Sequence, residues 1–168
     1  MSESREKSAS VIAETRDATY GNLASRPGFL IRRLHQIHVA IFLEECKEFN
    51  ITPVQYSILT ALRDGELDQT GLANRVGMDL ATTTQVLKRL EERGWLMRTR
   101  NLADRRQRIV SLTDAGARVL CDIDTHAQRA HERTVAQLDG ADRERFTAYL
   151  IELVEANNHY SRAPIKLS

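Results

Sequence analysis

The sequence predicts a mainly helical fold carrying one small β-hairpin, and three observations lead there. Apolar residues recur at three- and four-residue spacing through several long stretches. Capping motifs of Thr or Asp, with Gly stops, punctuate those stretches. Only one segment, from Trp95 to Thr113, abandons the helical period for alternation.

Taken in order, residues 1–25 are polar with scattered apolar positions (Val11, Ile12, Leu23), the pattern of an N-terminal arm. Ser25, Pro27 and Gly28 mark a helix start, and Leu30, Leu34, Ile37 and Ile41, with Phe42 and Phe49 beside them, continue it to about Asn50. Thr52-Pro53-Val54-Gln55 is a capping box with proline at the first helical position. The helix it opens turns Val54, Ile58, Leu59 and Leu62 inward and stops at Asp64-Gly65. Gln69 to Val76 is a short helix ending at Gly77, and Asp79 caps another from Leu80 to Arg93, with Gly94 as its stop. Two short helices joined at a glycine form a helix-turn-helix. Two alternating runs flank Asn101 to Gln107 and make a hairpin attached to it, a wing. Thr113 caps a long helix with Val119, Leu120, Ile123, Ala127, Ala130 and Leu138 along one stripe. After Asp139-Gly140 a last helix carries Phe146, Tyr149, Leu150, Leu153 and Val154.

The 168 residues suit one domain with a real core, and 42% hydrophobic with 28% charged residues is an ordinary globular balance. No apolar run approaches the roughly 20 residues of a bilayer span, and the N-terminus has no signal-peptide core, so a cytoplasmic protein with no membrane partner is expected. Cys46 and Cys121 match no metal or redox spacing and read as free thiols, partly or fully buried.

Charge is distributed unevenly. Residues 69–113 hold nine Lys/Arg against four acids, a local +5, while the remainder has fifteen against nineteen, or −4. Five arginines fall between Arg98 and Arg108 alone. Such a patch is either a solvated basic surface or a footprint for nucleic acid. The helix from Leu80 favours the second. Projected at 100° per residue, Leu80, Thr83, Val86, Leu87 and Leu90 fall inward. Ala81, Gln85, Lys88 and Arg89 fall outward, edged by Thr82 and Thr84, a face of small residues, an amide and cations that suits a major groove. A wing-tip arginine suits a narrow minor groove.

The segment LADRRQRIVSLTDAG, residues 102–116, resembles the wing of the MarR family of bacterial transcription regulators, with Asp-x-Arg, an alternating strand, and Leu-Thr-x-x-Gly. Residues 71–98 resemble the same family's helix-turn-helix and first wing strand, and ITPVQYSILTAL its preceding helix. Leu102 stands where a proline is common in the family. The likeness spans roughly residues 28–160. It implies a winged helix-turn-helix DNA-binding region over 51–113 and a helical dimerisation region formed by 26–50 and 114–168. The implied assembly is a homodimer on a palindromic double-stranded operator, associated with the nucleoid. DNA contacts are expected from Thr82, Thr84, Gln85, Lys88, Arg89, Arg105, Arg106 and Arg108. Of these, Arg105 is expected at the wing tip, and Asp104 fixes the wing loop.

The resemblance also implies an effector that releases DNA. Phe29, Arg32, Arg33, His35, His38 and Phe42 on the first helix mix cations, donors and aromatic rings, which suits a small aromatic acid. The helix resembles the branch responsive to hydroxycinnamates or their coenzyme A thioesters, and the function expected is repression of an aromatic-compound catabolic operon. The alternatives are another phenolic ligand, or a winged-helix protein-interaction module that does not bind DNA. The histidines complete no metal motif, and the sequence carries no phosphate loop or nucleophile motif, so no cofactor, no metal and no catalytic residue is expected.

Overall fold

A computed structural model describes residues 20–101, 107–161 and 163–165. Its helices are α1 (Pro27–Glu45), α2 (Pro53–Ala61), α3 (Gln69–Val76), α4 (Leu80–Glu92), α5 (Asp114–Thr134) and α6 (Gly140–Asn157). Its strands are β1 (Leu67–Asp68), β2 (Leu96–Arg100) and β3 (Arg108–Leu112).

The caps read from the sequence are made. The Thr52 hydroxyl accepts from the Gln55 N–H at 3.3 Å, and the Gln55 side chain accepts from the Thr52 N–H at 3.0 Å. Asp79, Thr113 and Asp139 each accept from a backbone N–H three residues on, at 2.8–3.0 Å. Each satisfies an N–H that a helix start leaves without an intrahelical partner.

Contacts divide the chain into two units, the boundary falling after Ala40. In the first, Asn22 caps a single 3₁₀ turn, Leu23–Ser25, ahead of α1, and Leu30, Ile31 and Ile37 are exposed along the helix. The second unit holds a core in which Ile58, Leu59, Leu72, Leu87, Leu90, Leu96, Val110, Leu120 and Ile123 are buried. The helical stripes and the alternating wing strands converge there, each contributing the face its periodicity turns inward.

The structure departs from the sequence reading in several places. Val54 is 42% exposed instead of inward. The first helix stops at Glu45, not near Asn50. A 3₁₀ turn over Lys47–Phe49 follows, ending at Asn50 with φ 47°, a left-handed conformation that Asn tolerates better than most residues. The wing is not a lone hairpin, because β1 pairs antiparallel with β3 and gives a three-stranded sheet in the order β1-β3-β2. Leu80 is 49% exposed instead of inward, while Thr83 in the same turn of α4 is buried. Leu138 lies beyond α5, which ends at Thr134. The turn that follows is held by Arg143, whose side chain donates to the carbonyls of Leu138 (2.8 Å) and Ala136 (3.4 Å). Cys46 is buried as expected, but Cys121 is exposed on α5. Burial pushes the Cys46 thiol up to about 11, which keeps it protonated and inert at neutral pH.

Candidate nucleic-acid interface

The helix-turn-helix is built from two caps and one glycine. Asp68 ends β1 and caps α3, its carboxylate accepting from the N–H groups of Thr70 and Gly71, both at 2.9 Å. At the other end Gly77 sits at φ 68°, where a side chain would be strained, and the Met78 N–H returns to the Ala73 carbonyl at 2.9 Å. Asp79 then starts α4. The Thr82 N–H (2.8 Å) and the Thr82 hydroxyl (2.7 Å) both donate to its carboxylate and hold it below the usual carboxylate range.

Thr83, Leu87 and Leu90 seat α4 on the core, and the Thr83 hydroxyl, itself buried, donates to the Asp79 carbonyl at 2.9 Å. Ala81, Thr82, Thr84, Gln85, Lys88 and Arg89 are all exposed on the other side. Lys88 lies 3.8 Å from Glu92 in a solvent-exposed i, i+4 pair, a weak tie that leaves its charge available. Arg89 has no ion-pair partner among the described residues. The end of α4 is anchored from behind. Arg93 donates to the carbonyls of Asn50 (2.9 Å) and Phe49 (2.6 Å), and its guanidinium lies 3.5 Å from the centre of the Trp95 ring.

The wing arginines divide. Arg98, only 17% exposed, donates from Nε to Glu91 at 2.9 Å and pairs with the same carboxylate through Nη2. That hydrogen bonding holds Glu91 below the usual carboxylate range and ties β2 to the end of α4. Arg98 is therefore a brace. Arg100 and Arg108 are directly opposite each other in the antiparallel register, and both are exposed. Like charges facing across a strand pair repel, so this arrangement favours an anion between or above them. The sequence alone does not single out Arg100 within the arginine cluster; its register with Arg108 does. Asp104, Arg105 and Arg106 lie outside the described residues.

On α1, the Arg32 guanidinium lies 5.3 Å from the centre of the Phe29 ring, Arg33 donates to Gln36 at 2.9 Å, His35 is exposed and His38 is half-buried. Phe42 is 1% exposed, packed in the core of the second unit with its ring centre 5.6 Å from that of Tyr56. In that unit a cavity of about 550 Å³ opens beside α2 and α5. Tyr56, Arg63 and Asp124 are among its lining residues. The Tyr56 hydroxyl donates to Asp124 at 2.9 Å, and Arg63 spans both carboxylate oxygens at 2.7 and 2.8 Å. Burial, then the hydrogen bond to Asp124, raises the Tyr56 phenol above its ordinary range. Among the described residues no three His, Cys, Asp or Glu side chains gather to hold a metal ion.

Residues 51–107, which carry α2 through β2, match the MarR family. The PcaV transcriptional regulator of Streptomyces coelicolor, solved in complex with its natural ligand, is 33% identical with a TM-score of 0.75, across 80% of this chain and 96% of that one. The chain belongs to the MarR family. A second MarR-type relative is the transcriptional repressor NicR of Pseudomonas putida, 28% identical over 144 residues, covering 85% of this chain and 91% of NicR. A third is BpsR of Bordetella bronchiseptica, whose DNA binding is regulated by 6-hydroxynicotinic acid. It is 30% identical with a TM-score of 0.75, over 79% of this chain and 95% of BpsR. The winged helix-turn-helix, mostly helical with a small antiparallel sheet, is thus the family's fold, and the chain is a MarR-type transcriptional regulator. No helix among the described residues is long and apolar enough to cross a membrane.

Proposed function

We propose that this regulator is a ligand-released repressor that grips a palindromic operator as a homodimer. The observation that carries the reading is the pairing of two basic elements on one rigid unit. The outward face of α4 presents Thr82, Thr84, Gln85, Lys88 and Arg89, and the wing presents Arg100 opposite Arg108. An α-helix of this face fits the major groove, where Gln reads adenine and Arg or Lys reads guanine. The wing arginines, with Arg105 at the tip and Arg106 beside it, serve the phosphates and the adjacent minor groove.

Dimerisation is supported by the last helix. Tyr149 (56% exposed), Leu150, Ile151, Leu153 (54% exposed) and Val154 lie open along α6, apolar side chains that a second copy would cover. A twofold dimer sets two recognition helices about one DNA turn, ~34 Å, apart.

The effector reading rests on α1, where Phe29, Arg32, Arg33, His35 and His38 combine aromatic and cationic groups, with Phe42 as a packed position on the same helix. NicR is a repressor, BpsR responds to 6-hydroxynicotinic acid and PcaV binds a natural ligand, so an anionic aromatic or heteroaromatic ring is the ligand class supported best. A hydroxycinnamate or its coenzyme A thioester is the specific candidate, and the target is an operon that degrades such compounds.

Fluorescence anisotropy with the intergenic DNA beside the protein's own gene tests this. Binding is expected to be saturable and salt-sensitive. Arg105→Ala and Arg100→Ala should each weaken it and shallow the log–log salt slope by roughly 1, the loss of one phosphate contact. Unchanged affinity and slope refute the wing assignment, and no binding at moderate salt favours a protein-interaction module. Titration of hydroxycinnamates, their thioesters and 6-hydroxynicotinic acid into the complex identifies the releasing class. An effector at ~100-fold excess over its Kd should stabilise the free protein by about 2.7 kcal/mol.

A further inference from the structure

We infer that Leu80, together with Ala81 and the Thr84 methyl, reads a thymine methyl group in the major groove, so that the first turn of α4 is an apolar base reader. This rests on the operator reading above and adds the chemistry of the base it prefers. A single exposed leucine is ordinary on a protein surface. The neighbours of Leu80 make this one different. Ala81 is exposed and offers only its methyl. The Thr82 hydroxyl donates to the Asp79 carboxylate at 2.7 Å, and the Thr84 hydroxyl donates to the Leu80 carbonyl at 2.7 Å. Both hydroxyl protons are thus turned back onto the helix, and neither reaches a base without breaking an existing bond. Leu80 and Thr84, four residues apart, lie side by side. The first outward side chain with a free donor is Gln85, followed by Lys88 and Arg89.

The reading face is therefore split along its length, with hydrocarbon in front and an amide and cations behind. Helix-turn-helix proteins bring the N-terminal residues of this helix to the base edges, which places the hydrocarbon end at the bases. Of the four bases only thymine presents a methyl group in the major groove. A cytosine at the same place presents an amino donor in place of the methyl, and the Leu80 and Ala81 side chains offer it no acceptor.

The experiment is selection of duplexes from a randomised DNA pool by the full-length wild-type protein, Leu80→Ala and Leu80→Met, with circular dichroism confirming that each is folded. The wild-type consensus should hold an invariant thymine in each half-site, relaxed in Leu80→Ala and retained in Leu80→Met. Replacing that thymine by uracil in the selected duplex removes only the methyl. It should weaken the wild type about fourfold per half-site, the ~0.8 kcal/mol of one buried methyl-sized group, and weaken Leu80→Ala less, since only Ala81 and the Thr84 methyl remain there. A consensus and a uracil sensitivity that are the same in wild type and Leu80→Ala overturn the assignment while leaving the operator reading intact. A wild-type protein that enriches no sequence refutes the operator reading itself, and the assignment falls with it.

Discussion

Gly116 is where the long helix α5 crosses the end of the recognition unit, and a single methyl added there should be costly. A Cβ at this position would stand 1.7 Å from the Trp95 carbonyl oxygen and 2.7 Å from its carbon. Neither atom is free to retreat. The same carbonyl oxygen accepts from the Thr113 N–H at 3.1 Å, and the Thr113 hydroxyl donates to the Gly94 carbonyl at 2.6 Å while accepting from the Gly116 N–H at 3.0 Å. Relieving the overlap means shifting backbone by more than an ångström and breaking at least one of these bonds. Overpacking against backbone belongs at the upper end of the usual range, ~3 kcal/mol, against which alanine returns about 1 kcal/mol of helix propensity. Gly116→Ala should therefore lose about 2 kcal/mol, or roughly 4–8 °C in Tm for a chain of this size. Urea and thermal unfolding measured at fixed protein concentration give both numbers. A variant as stable as the wild type would mean that α5 does not press on Trp95, and the packing of helix against wing described above would be wrong.

Two further outcomes follow from the ionic contacts. Glu91 is held below its ordinary pKa by Arg98, so its contribution to stability is complete above the free-glutamate range and disappears as pH falls through the lowered folded value. Glu91→Gln should flatten the pH dependence of unfolding below about pH 5 while changing the trend above pH 6 little, and an unaltered acid limb would contradict the brace. In the second contact, Asp124→Ala leaves both the Tyr56 hydroxyl and the Arg63 guanidinium without their acceptor, whereas Tyr56→Phe removes one donor and leaves the Arg63 pair in place. The first should cost on the order of 2 kcal/mol and the second about 1 kcal/mol in urea unfolding, and equal costs would mean that Arg63 adds nothing to the network.

What the sequence made legible was local. Thr52, Asp79, Thr113 and Asp139 announce helix starts because a cap is a contact across three residues, and the capping box at Thr52–Gln55 is complete in four letters. The glycine of the Leu-Thr-x-x-Gly pattern was visible as a motif, and its reason, the Trp95 carbonyl, was not. Features that depend on distant partners were hidden. The two residues of β1 have no period of their own and become a strand only against Ile109 and Val110, some forty residues later. Arg98 looked like its neighbours until Glu91, seven residues back, claimed it. Leu80 fell inward on a helical projection because such a projection assumes core beneath every inward position, and in the first turn of α4 only Thr83 is buried. Of the expected DNA contacts, Thr82, Thr84, Gln85, Lys88, Arg89 and Arg108 are exposed on α4 and β3, while Arg105 and Arg106 lie outside the described residues.

Asp68 belongs to two structures at once, as the last residue of the strand hydrogen-bonded to the wing and as the cap of the first helix of the helix-turn-helix. Arg98 and Glu91 join the same two parts from the other side. The wing and the recognition helix are consequently a caliper with a locked jaw. On the operator reading proposed above, the separation between the groove at α4 and the groove beside the wing is then set by the protein. One base pair inserted between those two points in a half-site displaces them by about 3.4 Å along the duplex and turns one away from the other. On that reading, the ties at Asp68 and Arg98–Glu91 make spacing within the half-site a part of what is recognised, beside the bases.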